Sequence, residues 1–229
     1  LTHCINTVEP RHLIVDCDYL DRLSISLQGI QGSPTIWVHG ADHHGFSRID
    51  HNIDQQPSGK LSENERPELS IEDLALYIFT SGTTGLPKAA NVSHARVLQW
   101  SYWFSGMMGV KSDDRMYNCL PMYHSIGGVL VPGAILIGGG SVVIREKFSA
   151  SNFWSDIVRW DCTTFQYIGE FCRYLLHADM NAAPQNHRVR LCCGNGLAPD
   201  VWDTFKERFH IPRVLAFYAA TEGNLPLFN

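Results

Sequence analysis

The sequence predicts an α/β fold, layered and built on mainly parallel sheets. Short apolar, β-branched runs recur along the chain, and stretches with helical spacing stand between them, so strand and helix alternate. A third observation concerns Met116 to Ile144, which holds no Asp, Glu, Lys or Arg. Its length raises the question of a membrane span. The stretch also carries Asn118, Pro121, His124, Ser125, Pro132 and several glycines, which suit a buried sheet with tight turns better than a lipid-facing helix.

Taken in order, HLIVD at His12 to Asp16 reads as a strand, Asp18 to Leu27 has helical spacing, and PTIWV at Pro34 to Val38 reads as a second, parallel strand. The opening residues look like a helix end feeding the first strand, so residues 1–54 are expected to be part of a first α/β lobe that continues upstream. Residues 55–73 turn to Gln, Pro, Ser, Gly and Glu and read as an exposed connection. A second lobe is expected over 74–229. There, Asp73 to Thr80 is a strand, Gly82 to Lys88 a loop, and Ser93 to Met108 an amphipathic helix opened by Ser93. Strands follow at Met116 to Leu120 and Ser141 to Ile144, with partly helical structure from Ile126 to Ile137 between them. Then come helix at Phe153 to Trp160, strand at Thr163 to Tyr167, helix at Gly169 to His177, strand at Arg190 to Cys193, helix at Pro199 to Phe209, and a last strand at Val214 to Tyr218.

The 229 residues, 45% hydrophobic and 18% charged, suffice for a sizeable core and exclude disorder for most of the chain. Eighteen basic against 23 acidic residues, with no basic cluster, leave no electrostatic footprint for nucleic acid. The seven cysteines are odd in number and scattered, with no Cys-x-x-Cys pair, which reads as reduced thiols in a cytoplasmic setting. Leu1 opens the chain without a signal-peptide pattern, so a piece of a longer protein is expected. A sheet lacking neighbouring strands would expose edges, and such a piece is expected to be poorly soluble.

The strongest chemical feature is YIFTSGTTGLPK at Tyr77 to Lys88. Hydroxyls on Ser81, Thr83 and Thr84, with Gly82 and Gly85 letting the backbone turn its N–H groups inward, make an anion cradle, and Lys88 adds a mobile cation suited to polyphosphate. A surface turn rich in Gly and Thr is the competing reading. It is not a Walker A loop: Gly82 and Gly85 are too close, and Leu86 and Pro87 precede the Lys.

SGTTGLPK after an aromatic strand resembles the phosphate loop of the adenylate-forming (AMP-binding) enzymes, the superfamily of acyl-CoA synthetases, luciferases and peptide-synthetase adenylation domains. LPMYHS (Leu120 to Ser125), VVIREKFSASNFW (Val142 to Trp154), QYIGEFCRYLL (Gln166 to Leu176), GNGL (Gly194 to Leu197), RFHIP (Arg208 to Pro212) and FYAATEGN (Phe217 to Asn224) resemble its fatty acid transport protein branch, the long-chain and very-long-chain acyl-CoA synthetases. The similarity covers nearly the whole chain. It implies a fragment of the large N-terminal domain, with the second lobe binding nucleotide and acyl group. Thr80, Ser81, Thr83, Thr84 and Lys88 would hold the phosphates of ATP, with Gly82 and Gly85 shaping the loop. Tyr218 would stack on adenine, Thr221 would contact the α-phosphate, and Glu222 would help hold Mg²⁺. Gly194, Asn195 and Gly196 would border the adenine and acyl pockets, while His124, Gln166, Tyr167 and Gly169 would line the acyl and pantetheine paths.

Each residue also has a plainer reading. Glu222 could be a solvated acid, Tyr218 a core aromatic at a strand end, His124 a bonded core histidine, and Cys192 and Cys193 buried small residues. Glu170 could open a helix as an acid at the positive end of its dipole. His94, His43 and His44 carry no metal-ligand pattern. Ala219 departs from the family, which has Gly there, and would crowd the backbone near adenine. The family's downstream ribose-binding Asp, hinge and small mobile domain with its Lys do not follow within these residues, so the fragment alone is expected to bind nucleotide weakly and not turn over. The implied substrates are a fatty acid, ATP and CoA, and peripheral membrane association stays open. Two rivals remain: a ligase for a shorter or different carboxylic acid, and a fatty acid uptake or binding module without turnover.

Overall fold

The computed structural model describes residues 1–81, 85–178, 186–223 and 227–229. Contacts divide the chain into two units, Leu1–Ser70 with Phe79–Ala90, and Ile71–Ile78 with Asn91–Asn229. The sequence pattern puts 74–229 in one lobe, whereas by contacts the stretch 79–90 groups with the first residues.

The first unit begins with α1 (Thr2–Val8) and β1 (His12–Asp16), followed by a 3-10 turn at Cys17–Tyr19 and α2 (Leu20–Leu27). β2 (Thr35–His39), β3 (Ser47–Arg48) and α3 (Ile49–Asp54) complete it. The three strands form one parallel sheet in the order β1-β2-β3, and Ile5, Leu20, Leu23 and Val38 are its buried apolar residues. Strand, helix and strand stand where the sequence predicts them. β3 and α3 go beyond that prediction, because IDHNID offers only Ile49 and Ile53 as apolar signal. Residues 55–73 are exposed throughout and contain one 3-10 turn, Glu63–Glu65, capped reciprocally by Ser62 and Glu65.

β4 (Leu74–Thr80) and β5 (Lys88–Ser93) pair as a two-stranded sheet. β5 is absent from the sequence reading. Its period-2 signal is only two residues deep, Ala90 and Val92 turning inward beside exposed Lys88 and Asn91.

The second unit carries a six-stranded sheet. Its strands are β6 (Arg115–Asn118), β7 (Ser141–Ile144), β8 (Thr164–Ile168), β9 (Leu191–Asn195), β10 (Arg213–Tyr218) and β11 (Leu227–Phe228), in the order β11-β10-β9-β8-β6-β7. All pair in parallel except β11, which lies antiparallel on β10. β10 is therefore not the last strand, contrary to the sequence reading; two residues are too short a run to signal one. The helices are α4 (His94–Met108), α5 (Val131–Ile137), α6 (Phe153–Arg159), α7 (Gly169–His177) and α8 (Pro199–Arg208). Ser93 caps α4 as expected, its Oγ accepting from the Arg96 N–H, and Glu170 stands in the first turn of α7.

Aromatic rings cover both faces of this sheet. On one, Phe153 of α6 meets Tyr117 and Phe165 edge-on at 5.2 and 5.1 Å. On the other, Phe104 of α4 meets Phe217 at 4.9 Å, also edge-on. The charge-free stretch from Met116 to Ile144 is strand, helix and strand, in line with the partly helical reading of Ile126 to Ile137. Its middle is a π-helical turn, Ile126–Leu130, running into α5. A Cβ on Gly127 would lie 2.5 Å from the Pro121 carbonyl oxygen, and one on Gly128 2.0 Å from that of Met122. That glycine pair is what lets the turn sit on the preceding loop. No helix among the described residues is long and apolar enough to cross a membrane. All seven cysteines are free, five of them buried.

At the N-terminal edge of the sheet, Asp114 is 2% exposed and ties three segments together. Its Oδ1 accepts from Thr163 Oγ1 at 2.7 Å and Arg190 Nε at 2.8 Å, and its Oδ2 accepts from the Lys111 N–H at 2.8 Å. Burial pushes this carboxyl up, but the bonds from Arg190, Thr163 and Lys111 outweigh it and hold Asp114 below its ordinary value. Such a group stabilises the fold above the unfolded pKa and loses that contribution as pH falls through the folded one. We therefore expect Asp114→Asn to lower stability of the full-length protein at pH 7 by about 2–3 kcal/mol, the lower end for a buried pair because Arg190 is partly solvated. Chemical unfolding across pH should show the difference from wild type closing only below about pH 4.

Candidate active site

The candidate site residues of the second unit gather at the C-terminal ends of its parallel strands, the edge where open α/β sheets hold ligands. Two backbone approaches shape that edge. α7 starts directly after β8, and a Cβ on Gly169 would lie 1.7 Å from the carbonyl oxygen of Gly196. Gly194, in β9, has the Tyr167 carbonyl oxygen 2.1 Å from where its Cβ would be. Gly196 itself takes φ +72°, a left-handed conformation that turns the chain sharply after Asn195.

Here lies a cavity of about 250 Å³. Its polar side is His124, Ser125, Asn195 and Thr221, and its apolar side includes Trp100, Phe104, Leu130 and Phe217. Ala219, the departure from the family pattern, is in its wall. Ser125 Oγ and Thr221 Oγ1 are 3.2 Å apart and share one hydrogen bond. The Ile126 N–H donates to His124 Nδ1 at 3.3 Å, so the neutral ring carries its proton on Nε2 and offers a donor. Asn195 Oδ1 is buried and accepts from no group among the described residues.

Thr221 and Glu222 form a turn closed by the Gly223 N–H to the Ala220 carbonyl at 2.9 Å. Glu222 is exposed there, and its carbonyl accepts from Arg96 Nη2 at 3.4 Å. The Arg96 guanidinium sits 5.7 Å from the centre of the Trp100 ring, so α4 braces both this turn and the cavity wall. Tyr218 is 72% exposed at the end of β10, which removes the core-aromatic reading. His124 is likewise exposed.

Gln166 and Tyr167 are in a different setting. They are 1% and 0% exposed in β8, and neither they nor Gly169 are among the residues that line the cavity. The Tyr167 hydroxyl donates to the Leu215 carbonyl at 2.9 Å, and burial pushes its pKa far up. Cys192 and Cys193 are buried in β9, as expected; burial pushes the Cys193 thiol up to about 12, so it is no nucleophile at neutral pH.

Of the residues expected to form a phosphate loop, the described ones group with the first unit. Thr80 ends β4, Ser81 and Gly85 are exposed, and exposed Lys88 opens β5. Gly82, Thr83 and Thr84 lie outside the described residues. In the same unit, Asp16, Cys17 and Asp18 are the group of close potential ligand side chains found among the described residues. Asp16 already serves as a cap, accepting from the Asp18 N–H at 3.0 Å. Sequence reasoning missed Ser125, Trp100 and Phe104 as cavity residues. Ser125 could have been found as the neighbour of His124; the i, i+4 spacing of the two aromatics marks one face of α4 but not what that face meets.

The model of the AMP-binding enzyme family matches residues 1–228. The chain belongs to the AMP-binding enzymes. Long-chain fatty acid transport protein 6 of Mus musculus is 39% identical over 230 residues, covering 100% of this chain and 37% of that protein. Long-chain fatty acid transport protein 1 of Homo sapiens is 47% identical over 163 residues, 71% of this chain and 25% of that protein. These relatives are of the branch to which the motifs point, and the chain spans about a third of their length or less. Among solved structures, a putative long-chain-fatty-acid CoA ligase from Rhodopseudomonas palustris aligns with TM-score 0.84 at 19% identity, over 100% of this chain and 55% of that one. ATP-bound MatB from the same organism aligns at 0.83 and 22% identity, over 100% and 44%. The α/β fold of AMP-binding enzymes is thus established for this chain.

The Gly169–Gly196 contact yields a test within this family frame. Gly169→Ala in the full-length protein is expected to push the turn after Asn195 away, lowering the thermal midpoint by several degrees and weakening ATP binding. Gly106→Ala, in α4 with nothing within 4 Å of its Cβ, should be neutral or slightly stabilising. Thermal unfolding and equilibrium nucleotide binding on the two variants check this.

Proposed function

We propose that the full-length protein is a long-chain or very-long-chain fatty acyl-CoA synthetase. The fatty carboxylate attacks the α-phosphate of ATP, forming acyl-AMP and releasing pyrophosphate; the CoA thiol then displaces AMP to give the thioester. The observation that carries this reading is the cavity at the strand ends, half apolar and half hydroxyl, amide and imidazole, with Thr221 in its wall. An acid with an aliphatic chain needs both characters at once. The names of the relatives, long-chain fatty acid transport proteins, add the acid's class, and the ATP-bound AMP-binding enzyme of the same fold adds the nucleotide.

The chemical difficulty is to bring two anions together, so donors and cations around the phosphates supply most of the catalysis. In this reading Thr80, Ser81, Gly82, Thr83, Thr84 and Gly85 cradle the phosphates and Lys88 neutralises them. Thr221, held by its bond to Ser125, donates to the α-phosphate. Tyr218, already exposed, stacks on adenine, with Gly194, Asn195 and Gly196 along the pocket edge. His124 offers Nε2–H at the meeting of the acyl and CoA paths. Glu222 suits Mg²⁺, which takes one or two carboxylates and completes its shell with water and phosphate oxygens. When bound, the ion would offset charge on the phosphates. Peripheral membrane association fits a substrate that partitions into bilayers.

The test is ATP–pyrophosphate exchange by the full-length protein with acids of graded chain length, without CoA. Exchange rising with long-chain acids supports the reading; exchange confined to short or aromatic acids moves the protein to another substrate class. Fatty acid binding by folded protein without any exchange makes it an uptake or binding module. We expect Lys88→Ala and Glu222→Ala each to cut exchange by about 100-fold or more, with thermal midpoints close to wild type. Unchanged exchange in both would overturn the site assignment.

A further inference from the structure

Gln166 is the least explained residue in the core of the second unit. It is 1% exposed on β8, and neither Oε1 nor Nε2 has a partner among the described residues. A buried primary amide in that state is costly, and Leu or Met would fill the same volume without the loss of hydration. Its neighbour in the same row is no remedy. The Met116↔Thr164 register puts Asn118 beside Gln166, but Asn118 donates to the Gly127 carbonyl at 2.8 Å and accepts from the Leu120 N–H at 3.2 Å.

The register also says what lies above it. Gln166 pairs with Cys193 and Ile168 with Asn195, so Gln166 and Asn195 share one sheet face as diagonal neighbours. Phe217 falls level with Asn195 on that face and packs on Phe104 of α4. Asn195, Phe217 and Phe104 all line the cavity. The row holding Gln166 is thus the next one inward from the cavity wall, within reach of a long amide. Asn195 Oδ1, in that wall, is buried and equally without a partner.

We propose that Gln166 and Asn195 form a hydroxyl-binding subsite one sheet row inward from the cavity wall. Gln166 Nε2 donates, while its Oε1 and Asn195 Oδ1 accept. An oxygen that both accepts and donates suits this set: a water can accept from Nε2 and donate to both acceptors, an alcohol can accept from Nε2 and donate to one of them. A carboxylate meets two acceptors and is disfavoured, and a methylene satisfies none. The oxygen is either an ordered water or an alcohol carried by the acid substrate. Only the second source rests on the acid-activating function proposed above. With the second source, Gln166 determines specificity: it decides which acyl carbon can carry the hydroxyl at this point.

The test compares wild type with Gln166→Leu and Gln166→Met, two variants so that misfolding of one leaves the other. Full-length protein is assayed by ATP–pyrophosphate exchange with hexadecanoic acid and its positional hydroxy isomers, and its crystal structure is determined at a resolution that shows waters. If the substrate supplies the oxygen, wild type prefers one hydroxy isomer in kcat/KM by more than about tenfold, and both variants lose that preference. If water supplies it, wild type shows no such preference, an ordered oxygen sits within hydrogen-bond distance of Gln166 Nε2 and Asn195 Oδ1, and the variants lose it while their KM for hexadecanoic acid shifts. The proposal is overturned if isomer ratios are the same in all three proteins and no oxygen is bound at Gln166. Absence of exchange with every acid in wild type would sink the synthetase reading alone, since the crystal structures still decide the subsite.

Discussion

The contact of Gly169 with the Gly196 carbonyl is the constraint from which the site of the second unit follows. With 1.7 Å between a hypothetical Cβ and that oxygen, no side chain can stand at the start of α7. The helix can therefore begin flush against the turn after β9. This fixes where Asn195 leaves the sheet. One residue back on each strand, Gly194 admits the backbone of Tyr167, and the Tyr167 hydroxyl reaches on to the Leu215 carbonyl in β10. A chain of close contacts thus runs across three strand ends. It delivers β10 to the turn that carries Thr221, where the hydrogen bond with Ser125 closes the frame.

The two edges of the sheet divide the work. At the N-terminal edge Asp114 takes bonds from Thr163, Arg190 and Lys111 and leaves nothing for a ligand. Tyr117 and Asp156 are paired in the same way beneath α6, at 3.0 Å. At the C-terminal edge the Gln166 amide and Asn195 Oδ1 are buried and have no partner among the described residues. Burying polar groups without partners opposes folding, so the pair at this edge, beside the cavity, is where a ligand's hydrogen bonds would recover most. The π-helical turn at Ile126–Leu130 belongs to that edge too, since Ile126 and Leu130 line the cavity.

How much of this could be read beforehand follows the physics of each signal. β1, β2, β4 and β6 to β10 are legible as short runs rich in apolar residues between turn signals, and α4 because Ser93 announces it. β3, β5 and β11 offer two to six residues with little alternation, so their pairing is set by neighbours and not by their own composition. Of the site, His124, Asn195 and Thr221 were named from motifs and meet around one cavity. Trp100 and Phe104 were not, because an aromatic pair on a helix looks the same whether it faces a core or a ligand. The isolation of Gln166 has no sequence signature at all: it depends on Asn118 being occupied elsewhere, which only the fold reveals.

The cavity's chemistry bears on how charge must be handled. Among the described residues its polar lining is a serine, a threonine, an amide and an imidazole whose Nδ1 is already accepting, and it includes neither Lys nor Arg. Neutral donors of this kind orient an acid and its carbonyl, but each compensates only a fraction of a unit charge. A polyphosphate carries several negative charges, so a nucleotide-using enzyme built on this cavity needs cations from outside its lining. In the proposed reaction those are Lys88 and the ion at Glu222. Separating neutral orientation from charge compensation has a consequence for the acid: its chain can lie against Trp100, Phe104 and Leu130 with no ammonium or guanidinium in the cavity lining, the nearby Arg96 being engaged with the Trp100 ring and the Glu222 carbonyl.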